Sequence, residues 1–413
     1  MDERLKEQST LGRMLTLDAM RGGAALAVVT YHALGVAPQT AWHGWEGALP
    51  QITGYVVHFA YAGIYLFFVI SGFCIHLFWA KARAAGVQTP VINFFTFWKR
   101  RVRRLYPPYI AALVLYLCYL AYKTPVQVTG AYVWDVVLHV FMLHNMDPRT
   151  VYSINGAFWT LAIEEQLYLA YFLLLFLRIR FGWTRTLVLC FSARVVWLIM
   201  SRTLGYSFGV EIPLGEAAAT NWFIWALGAL SVEAALGVIK LPAWCYRMRA
   251  AAVALGLAMA LAQLLPMFDH KNWVHDIGWL IMHPAWGVGF FVLVNYSVEA
   301  EKRWHLLSTR VPLLITMLAP IGLISYSLYL THSFVLMQWY WFGFTQLHIL
   351  SISLLIMTPL SVVFAWLFFR VCERPFMRTV AVRAPVKAQY PAIMVKYQTL
   401  RRTLNEKIKL AGQ

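Results

Sequence analysis

Residues 17–34 read LDAMRGGAALAVVTYHAL, an apolar run that carries Arg21 and His32 with ten residues between them. Eleven steps along an α-helix are almost three turns, so both side chains share one face, roughly 16 Å apart at about 1.5 Å per residue. A run this long and apolar is read as a membrane span. It sets a fixed cation near one membrane surface and a titratable base near the other. Ionisable groups inside a bilayer are costly and point to functional sites. Taken alone, the pair fits ordinary roles equally well, Arg21 marking the end of a helix and His32 packing through a hydrogen bond.

The rest of the chain shares this character. Of its 413 residues, 60% are hydrophobic and 13% charged, well beyond an ordinary soluble domain, which makes the expected fold all-α and polytopic. Long apolar stretches fall near 17–36, 58–80, 106–122, 161–177, 186–204, 219–239, 250–266, 277–296, 314–337 and 348–371. Each approaches the roughly 20 residues that cross a bilayer, so the expectation is a bundle of about ten transmembrane helices. A further stretch, 131–146, contains Asp135, His139 and His144 and reads as a short re-entrant or interfacial helix; an eleventh crossing is the alternative.

A net charge of +17 raises nucleic acid as a partner, but its distribution argues for membrane topology instead. With residue 1 in the cytoplasm, the segments 1–16, 81–105, 178–185, 240–249, 299–311 and 370–413 face inward and hold 29 of the 35 Lys and Arg. The opposite loops are nearly bare, which favours ten spans with both termini inside. The polar first 15 residues lead directly into a span and resemble no cleavable signal, so the first helix is expected to direct insertion. Cys74, Cys118, Cys190, Cys245 and Cys372 fall in spans or on the inner side, with no metal-ligand spacing and no disulfide expected. Residues 1–378 form the expected membrane domain. The basic tail 379–413, with Tyr390, Met394, Val395 and Leu400 among its Lys and Arg, is expected to lie on the anionic inner leaflet.

Four further segments carry chemistry. In GIYLFFVISGFCIHLF (63–78), Ser71 and Gly72 interrupt a bulky run and permit close helix contact. FWKRRVRRLYPPY (97–109) places Arg100, Arg101, Arg103 and Arg104 just before a span. The spacing of three puts Arg101 and Arg104 on one helical face, and guanidinium forks suit phosphate oxygens, although orientation in the membrane explains such a cluster too. In NGAFWTLAIEEQLYL (155–169), Glu164 and Tyr168 are one turn apart while Glu165 points elsewhere. In GLISYSLYLTHSF (322–334), Ser325, Tyr329 and His332 line one stripe. Counted from the outer ends of their spans, His32, Glu164 and His332 are expected at one depth near the outer leaflet, with Arg21, Arg101 and Arg104 on the inner side. Arg194, near the middle of its span, is expected to face the bundle interior and either pair with a carboxylate, Glu164 being the favoured partner, or line a wet cavity. Trp42, Trp45, Trp339 and Trp341 fit an interfacial aromatic belt and equally a surface for stacking on sugars.

Together these segments, with FFRVCERPFMR at 368–378, resemble acyltransferase family three, integral-membrane O-acyltransferases acting on extracytoplasmic glycans. The resemblance covers residues 15–378. It implies a ten-helix domain that takes an acyl group, acetyl in the first instance and succinyl as an alternative, from cytoplasmic acyl-CoA as co-substrate, with no metal. It further implies that His32 of an Arg-x10-His motif is essential, that Arg101 and Arg104 form an Arg-x-x-Arg motif, and that Glu164 and Tyr168 form a Glu-x3-Tyr motif. Thr160 stands where Ser is frequent, a small chemical change. The periplasmic esterase-like domain that some members append has no counterpart in this sequence, which argues against a relay within the chain.

The expected mechanism holds the CoA nucleotide on Arg21, Arg101 and Arg104, with the pantetheine arm rising along the Arg21–His32 face. His32 acts as general base on an acceptor hydroxyl, oriented by Glu164; acylation of His32 itself is the alternative. Tyr168, Ser325 and His332 remain open as oxyanion donors. The expected partners are a carbohydrate or glycolipid acceptor, acyl-CoA and membrane lipids, and the expected location is a bacterial inner membrane. A secondary transporter would also bury charge, but no internal repeat or matched pair of broken helices is visible; a non-catalytic sensor is the third class. Cysteine-accessibility labelling should find residues 1–16 and 379–413 in the cytoplasm and 37–57 outside. Termini on opposite faces would overturn the ten-span topology.

Overall fold

The computed structural model describes residues 14–35, 58–125, 127–268, 273–307, 311–341 and 353–381, and all regular structure within them is helical. Helix α1 spans Leu15–Gly35. A tight turn at Phe59–Ala62 leads into α2, Gly63–Ala84. Helix α3, Phe94–Lys123, starts at Asn93, whose side chain accepts from the Thr96 amide at 2.9 Å. Helix α4, Gly130–Val140, is 11 residues long, about 16 Å, roughly half of a hydrocarbon core. That length agrees with a re-entrant or interfacial helix. Its His139 stacks on His144 with ring centroids 3.9 Å apart and sits 3.0 Å from the Asp135 carboxylate. Burial and the neighbouring His139 push His144 down to about 3, so it stacks as a neutral ring.

Helix α5 runs from Trp159 to Phe208 and breaks at Gly182, where φ is 74° and ψ is 174°. Only glycine adopts such backbone readily. The stretches 161–177 and 186–204 form its two arms, and the loop expected between them shrinks to that break. Then follow α6 (Ala218–Ala235), α7 (Met248–Leu264), α8 (Trp273–Leu307), α9 (Leu313–Leu323) and α10 (Ser325–Trp341). The run 314–337, read from sequence as one span, is bent by 74° between α9 and α10. Pro320 removes a backbone donor near the end of α9, and Ile324 leaves helical geometry with ψ near 7°. Helix α11 (Thr358–Phe368) continues through a wide turn at Phe369–Glu373 into α12 (Arg374–Ala381).

Each of the ten apolar stretches contains helix, but the expected count of ten crossings is not matched by length and composition. Six described helices are long and apolar enough to cross a membrane, or seven with the bent pair as one span. Helices α1 and α6 fall outside that set because they carry polar groups: Arg21 and His32 in the first, and buried Thr220, Asn221 and Glu233 in the second. The basic tail from 382 onward, Trp42, Trp45 and the side chains of Trp339 and Trp341 lie outside the described residues.

Two helix crossings bring backbones into direct contact. A Cβ on Gly72 of α2 would strike the Trp225 carbonyl of α6, and one on Gly228 of α6 would strike the Val69 carbonyl of α2. The same reciprocity joins α1 and α9, Gly22 facing Leu318 O and Gly322 facing Asp18 O. Such small-residue contacts are how helices approach closely where lipid supplies no hydrophobic drive. Around the α2–α6 crossing, Phe73, Trp79, Tyr171 and Trp225 form the main core. A buried polar clamp ties it to α5: Glu233 accepts both forks of Arg178 at 2.8 and 2.6 Å and lies 2.9 Å from His76 Nε2, a bidentate geometry that fixes orientation. Gly228→Leu should therefore lower the thermal unfolding midpoint in detergent, an overpacking loss of about 1–3 kcal/mol. Gly256→Leu, at a glycine with open space around it, should leave the midpoint unchanged.

Candidate active site

Side chains from five helices line one cavity of about 920 Å³, counting the space at its mouth: Arg21 from α1, Ser71 from α2, Arg101 and Arg104 from α3, Thr160, Glu164 and Tyr168 from α5, and Ser325 and Tyr329 from α10. Its walls are apolar, with Phe67, Phe68, Ile70 and Leu161. The spacing of three divides the arginine cluster into two pairs on different faces, and the orientation of the helix decides which pair enters. Arg101 and Arg104 turn into the cavity and are half-buried, whereas Arg100 and Arg103 are exposed. Arg101 lies over the rings of Phe97 and Tyr168, at 5.5 and 5.8 Å. The Arg104 Nε is buried without a hydrogen-bond partner. Among the described residues, no carboxylate comes within 4.0 Å of Arg21, Arg101 or Arg104. Three guanidinium groups facing one partly enclosed space create an electrostatic demand for an anion, and their planar forks match phosphate.

Glu164 sits among them. Its Oε1 accepts from Ser71 Oγ and from Tyr168 Oη, both at 2.6 Å. Trp225 Nε1 donates to the same Ser71 hydroxyl at 3.2 Å. On α10, Tyr329 Oη is hydrogen-bonded to Thr160 at 2.6 Å, while the buried Ser325 hydroxyl has no partner and lines the cavity. His32 and His332 meet one another outside this set: His332 Nε2 is 3.2 Å from His32 Nδ1.

The sequence placed His32, Glu164 and His332 at one depth, with Glu164 orienting His32. The structure corrects this. Helix α10 runs from the arginine end, where Tyr326 Oη donates to Leu105 O beside Arg104 at 2.8 Å, to the histidine end at His332. Helix α5 passes from Thr160, level with Tyr329, to Tyr168, level with Arg101. Glu164 lies between Thr160 and Tyr168 and so belongs to the arginine cavity. The ring neighbour of His32 is His332. Depth counted from span ends failed because α5 begins deeper in the bundle than its apolar run indicates.

Arg194 faces the bundle interior as expected but is fully buried away from Glu164. It donates to Thr220 O at 2.8 Å, Trp279 O at 2.6 Å and His283 Nδ1 at 2.8 Å, and its guanidinium lies 3.6 Å from the centre of the Trp279 ring. Backbone carbonyls and an aromatic face take the place of the expected carboxylate. Sequence reading also missed two groups. Ser71, taken as a small packing residue, anchors Glu164; and Glu373 is buried and accepts from Ser327 Oγ at 2.6 Å. The signal for the second was a single carboxylate in the otherwise basic FFRVCERPFMR.

Residues 14–370 match the acyltransferase domain of acyltransferase family three. The chain is similar to the O-acetyltransferase OatA of Staphylococcus aureus strain NCTC 8325, 23% identical over 347 residues, covering 76% of this chain and 49% of that protein. It is also similar to a putative O-acetyltransferase of Staphylococcus aureus strain COL, 25% identical over 393 residues, covering 88% and 57%. The chain thus spans about half the length of these curated relatives. No solved structure matches.

Removing the Arg194 donors leaves the buried His283 Nδ1 without its partner and takes one bond each from Thr220 O and Trp279 O, which keep their helical bonds. Arg194→Met should lower the thermal midpoint, with a loss of about 1–3 kcal/mol for the ring nitrogen left unpaired. Arg194→Lys, which retains the charge but reaches fewer acceptors, should fall between Met and the parent.

Proposed function

The chain belongs to acyltransferase family three, and on that footing we propose that it is a membrane O-acyltransferase moving an acyl group, acetyl in the first instance, from cytoplasmic acyl-CoA to a hydroxyl of an extracytoplasmic carbohydrate. The observation that carries this reading is the convergence of Arg21, Arg101 and Arg104 on one cavity without an ion-pairing carboxylate among the described residues. A polyanion such as the phosphorylated nucleotide end of CoA supplies the missing charge. The charge distribution of the loops supports a cytoplasmic position for that end of the bundle and for both termini, in a bacterial inner membrane.

From the arginines the thin pantetheine arm runs along the α1 face toward His32, roughly 16 Å further on by helix rise. There the acceptor hydroxyl gives its proton to His32 while its oxygen attacks the thioester carbonyl. The thiolate of CoA leaves and takes up the proton from His32, so an ester and free CoA result. Glu164 acts at the other end: by accepting from Ser71 and Tyr168 it fixes the phenol beneath Arg101 and offsets part of the positive charge.

The test combines the two ends in purified protein, with radiolabelled acetyl-CoA as donor and surface polysaccharide of the source strain as acceptor. Arg101→Lys and Arg104→Lys keep the charge but lose the bidentate fork, so acetyl-CoA affinity should fall roughly tenfold while expression survives. His32→Ala should bind acetyl-CoA normally and lose transfer by about 10²–10⁴-fold. Normal CoA binding by both Lys variants would make the cluster an orientation signal only, and full transfer by His32→Ala would remove it as the base.

A further inference from the structure

A histidine can serve as a base only at a ring nitrogen that carries no proton, and the surroundings of the two rings at the end of α1 decide which nitrogen that is. His332 Nδ1 lies 3.1 Å from Leu328 O and 2.9 Å from Tyr329 O. Carbonyl oxygens only accept, so this nitrogen carries the hydrogen, and the neutral ring keeps its lone pair on Nε2. That lone pair faces His32 Nδ1 at 3.2 Å. His32 Nδ1 in turn lies 3.0 Å from Val28 O, another pure acceptor, and so carries hydrogen as well. A single neutral arrangement satisfies all four contacts: the His32 Nδ1–H is shared between Val28 O and His332 Nε2, leaving His32 Nε2 unprotonated. Among the described residues that nitrogen has no hydrogen-bond partner. His332 itself is fully buried, His32 only half-buried.

We propose that His332 is a positioning residue for His32, accepting from its Nδ1–H and so holding His32 in the tautomer whose Nε2 is free to take the acceptor's proton. The proposal rests on His32 being the base of the transfer described above. When the acceptor hydroxyl yields its proton to His32 Nε2, the ring becomes a cation with both nitrogens protonated. The bond from Nδ1–H to the His332 lone pair is then charge-assisted and stronger than in the resting state, so it favours the step in which charge develops. When CoA thiolate takes the proton from Nε2, the starting tautomer returns. The same geometry removes His332 as an oxyanion donor, because its one N–H is committed to backbone carbonyls. Ser333 Oγ, 3.3 Å from His332 Nε2, shares the lone pair as a second donor. Tyr31 meets the His32 ring edge-on, at 5.3 Å between centroids, and limits its rotation from the other side.

The role assigned to a carboxylate from the sequence is thereby taken by a second imidazole. A neutral acceptor orients the ring without introducing a charge at this depth, which suits an apolar setting where an unpaired carboxylate is costly.

Two substitutions separate positioning from mere packing. His332→Gln can place an amide oxygen near the site of Nε2 and keep an acceptor for His32; His332→Leu fills space without one. In the acetyl-CoA assay, His332→Leu should lower kcat by roughly 10- to 100-fold with the KM for acetyl-CoA within about twofold, and His332→Gln should recover most of that loss. Parental kcat in His332→Leu alongside an inactive His32→Ala would overturn the proposal, as would a Gln variant as impaired as Leu at equal folded yield. A readout independent of activity is nitrogen NMR of protein labelled with ¹⁵N-histidine, with the His32 signals assigned by their loss in His32→Ala. The Nδ1–H tautomer in the parent, mixed with Nε2–H in His332→Leu, supports the proposal; an Nε2–H tautomer in the parent sinks it. If His32→Ala retains transfer, the reading of His32 as base fails, and the NMR result still decides whether the pair is built as stated.

Discussion

Three guanidinium groups in one partly enclosed space repel one another, and one end of this bundle is organised around holding them there. Arg21 comes from α1 and Arg101 and Arg104 from α3, so two helices must be kept in place against that repulsion. Aromatic faces do part of this: the Arg101 guanidinium lies over Phe97 and Tyr168, contacts worth about 0.5–2 kcal/mol each according to how far they are desolvated. Glu164 lies within the cavity without pairing directly to any of the three, and the buried Glu373 lies near enough to Arg104 and Arg21 to act on both electrostatically. Among the described residues no carboxylate forms an ion pair with the three, so the arrangement depends on helices that are fixed elsewhere.

That fixation lies in the glycine crossings and the clamp on Glu233. Gly72 and Gly228 bring α2 and α6 together, which sets Ser71 beside Trp225 and so aims its hydroxyl at Glu164. One turn and a half further along α2, His76 meets Glu233, which also holds Arg178 of α5. Helix α5, which carries Glu164 and Tyr168, is thus tied to α2 at two levels. Buried charge appears in this fold in two states. Arg178 is held by a carboxylate and the terminal nitrogens of Arg194 by carbonyls and a ring nitrogen, its Nε staying unpartnered, while among the described residues no acceptor is found for the guanidinium groups of the cavity arginines. The contrast is what singles out the cavity as the candidate site.

Much of this was legible in the sequence, and the residues that were not share a cause. That Arg101 and Arg104 share a face was legible from helix periodicity, a local property; Arg100 and Arg103 have the same spacing, so which pair turns inward was implied only by the family resemblance. The short helix at 130–140 was legible from three ionisable groups in too short a run. By contrast, the 74° bend at Ile324 sits in an apolar stretch whose hydropathy gives no break, and Pro320 lies a turn before the point where the chain changes direction. The level of Glu164 was misjudged because depth was counted from the ends of apolar runs, and those ends do not coincide with a common plane. Ser71 and Glu373 acquire their roles from other helices. Contacts of that kind have no period to betray them.

The bend at Ile324 has a wider consequence than local shape. Helix α1 is held near its Arg21 end by the crossing with α9, where Gly22 and Gly322 face opposing backbones, and at its His32 end by His332 on α10. Both holds come from the two halves of one bent segment. A straight continuation of α9 would carry α10 away from α1 and leave His32 without its neighbour, while the arginine end stayed as it is. The angle between α9 and α10 therefore sets the relation between the arginine end of the site and the histidine pair. The leaving of helical geometry at Ile324 also frees Ser325 and Tyr329 to turn toward the cavity from the start of a new helix. A single break in an apolar run thus closes one wall of the cavity and seats the histidine pair beyond it.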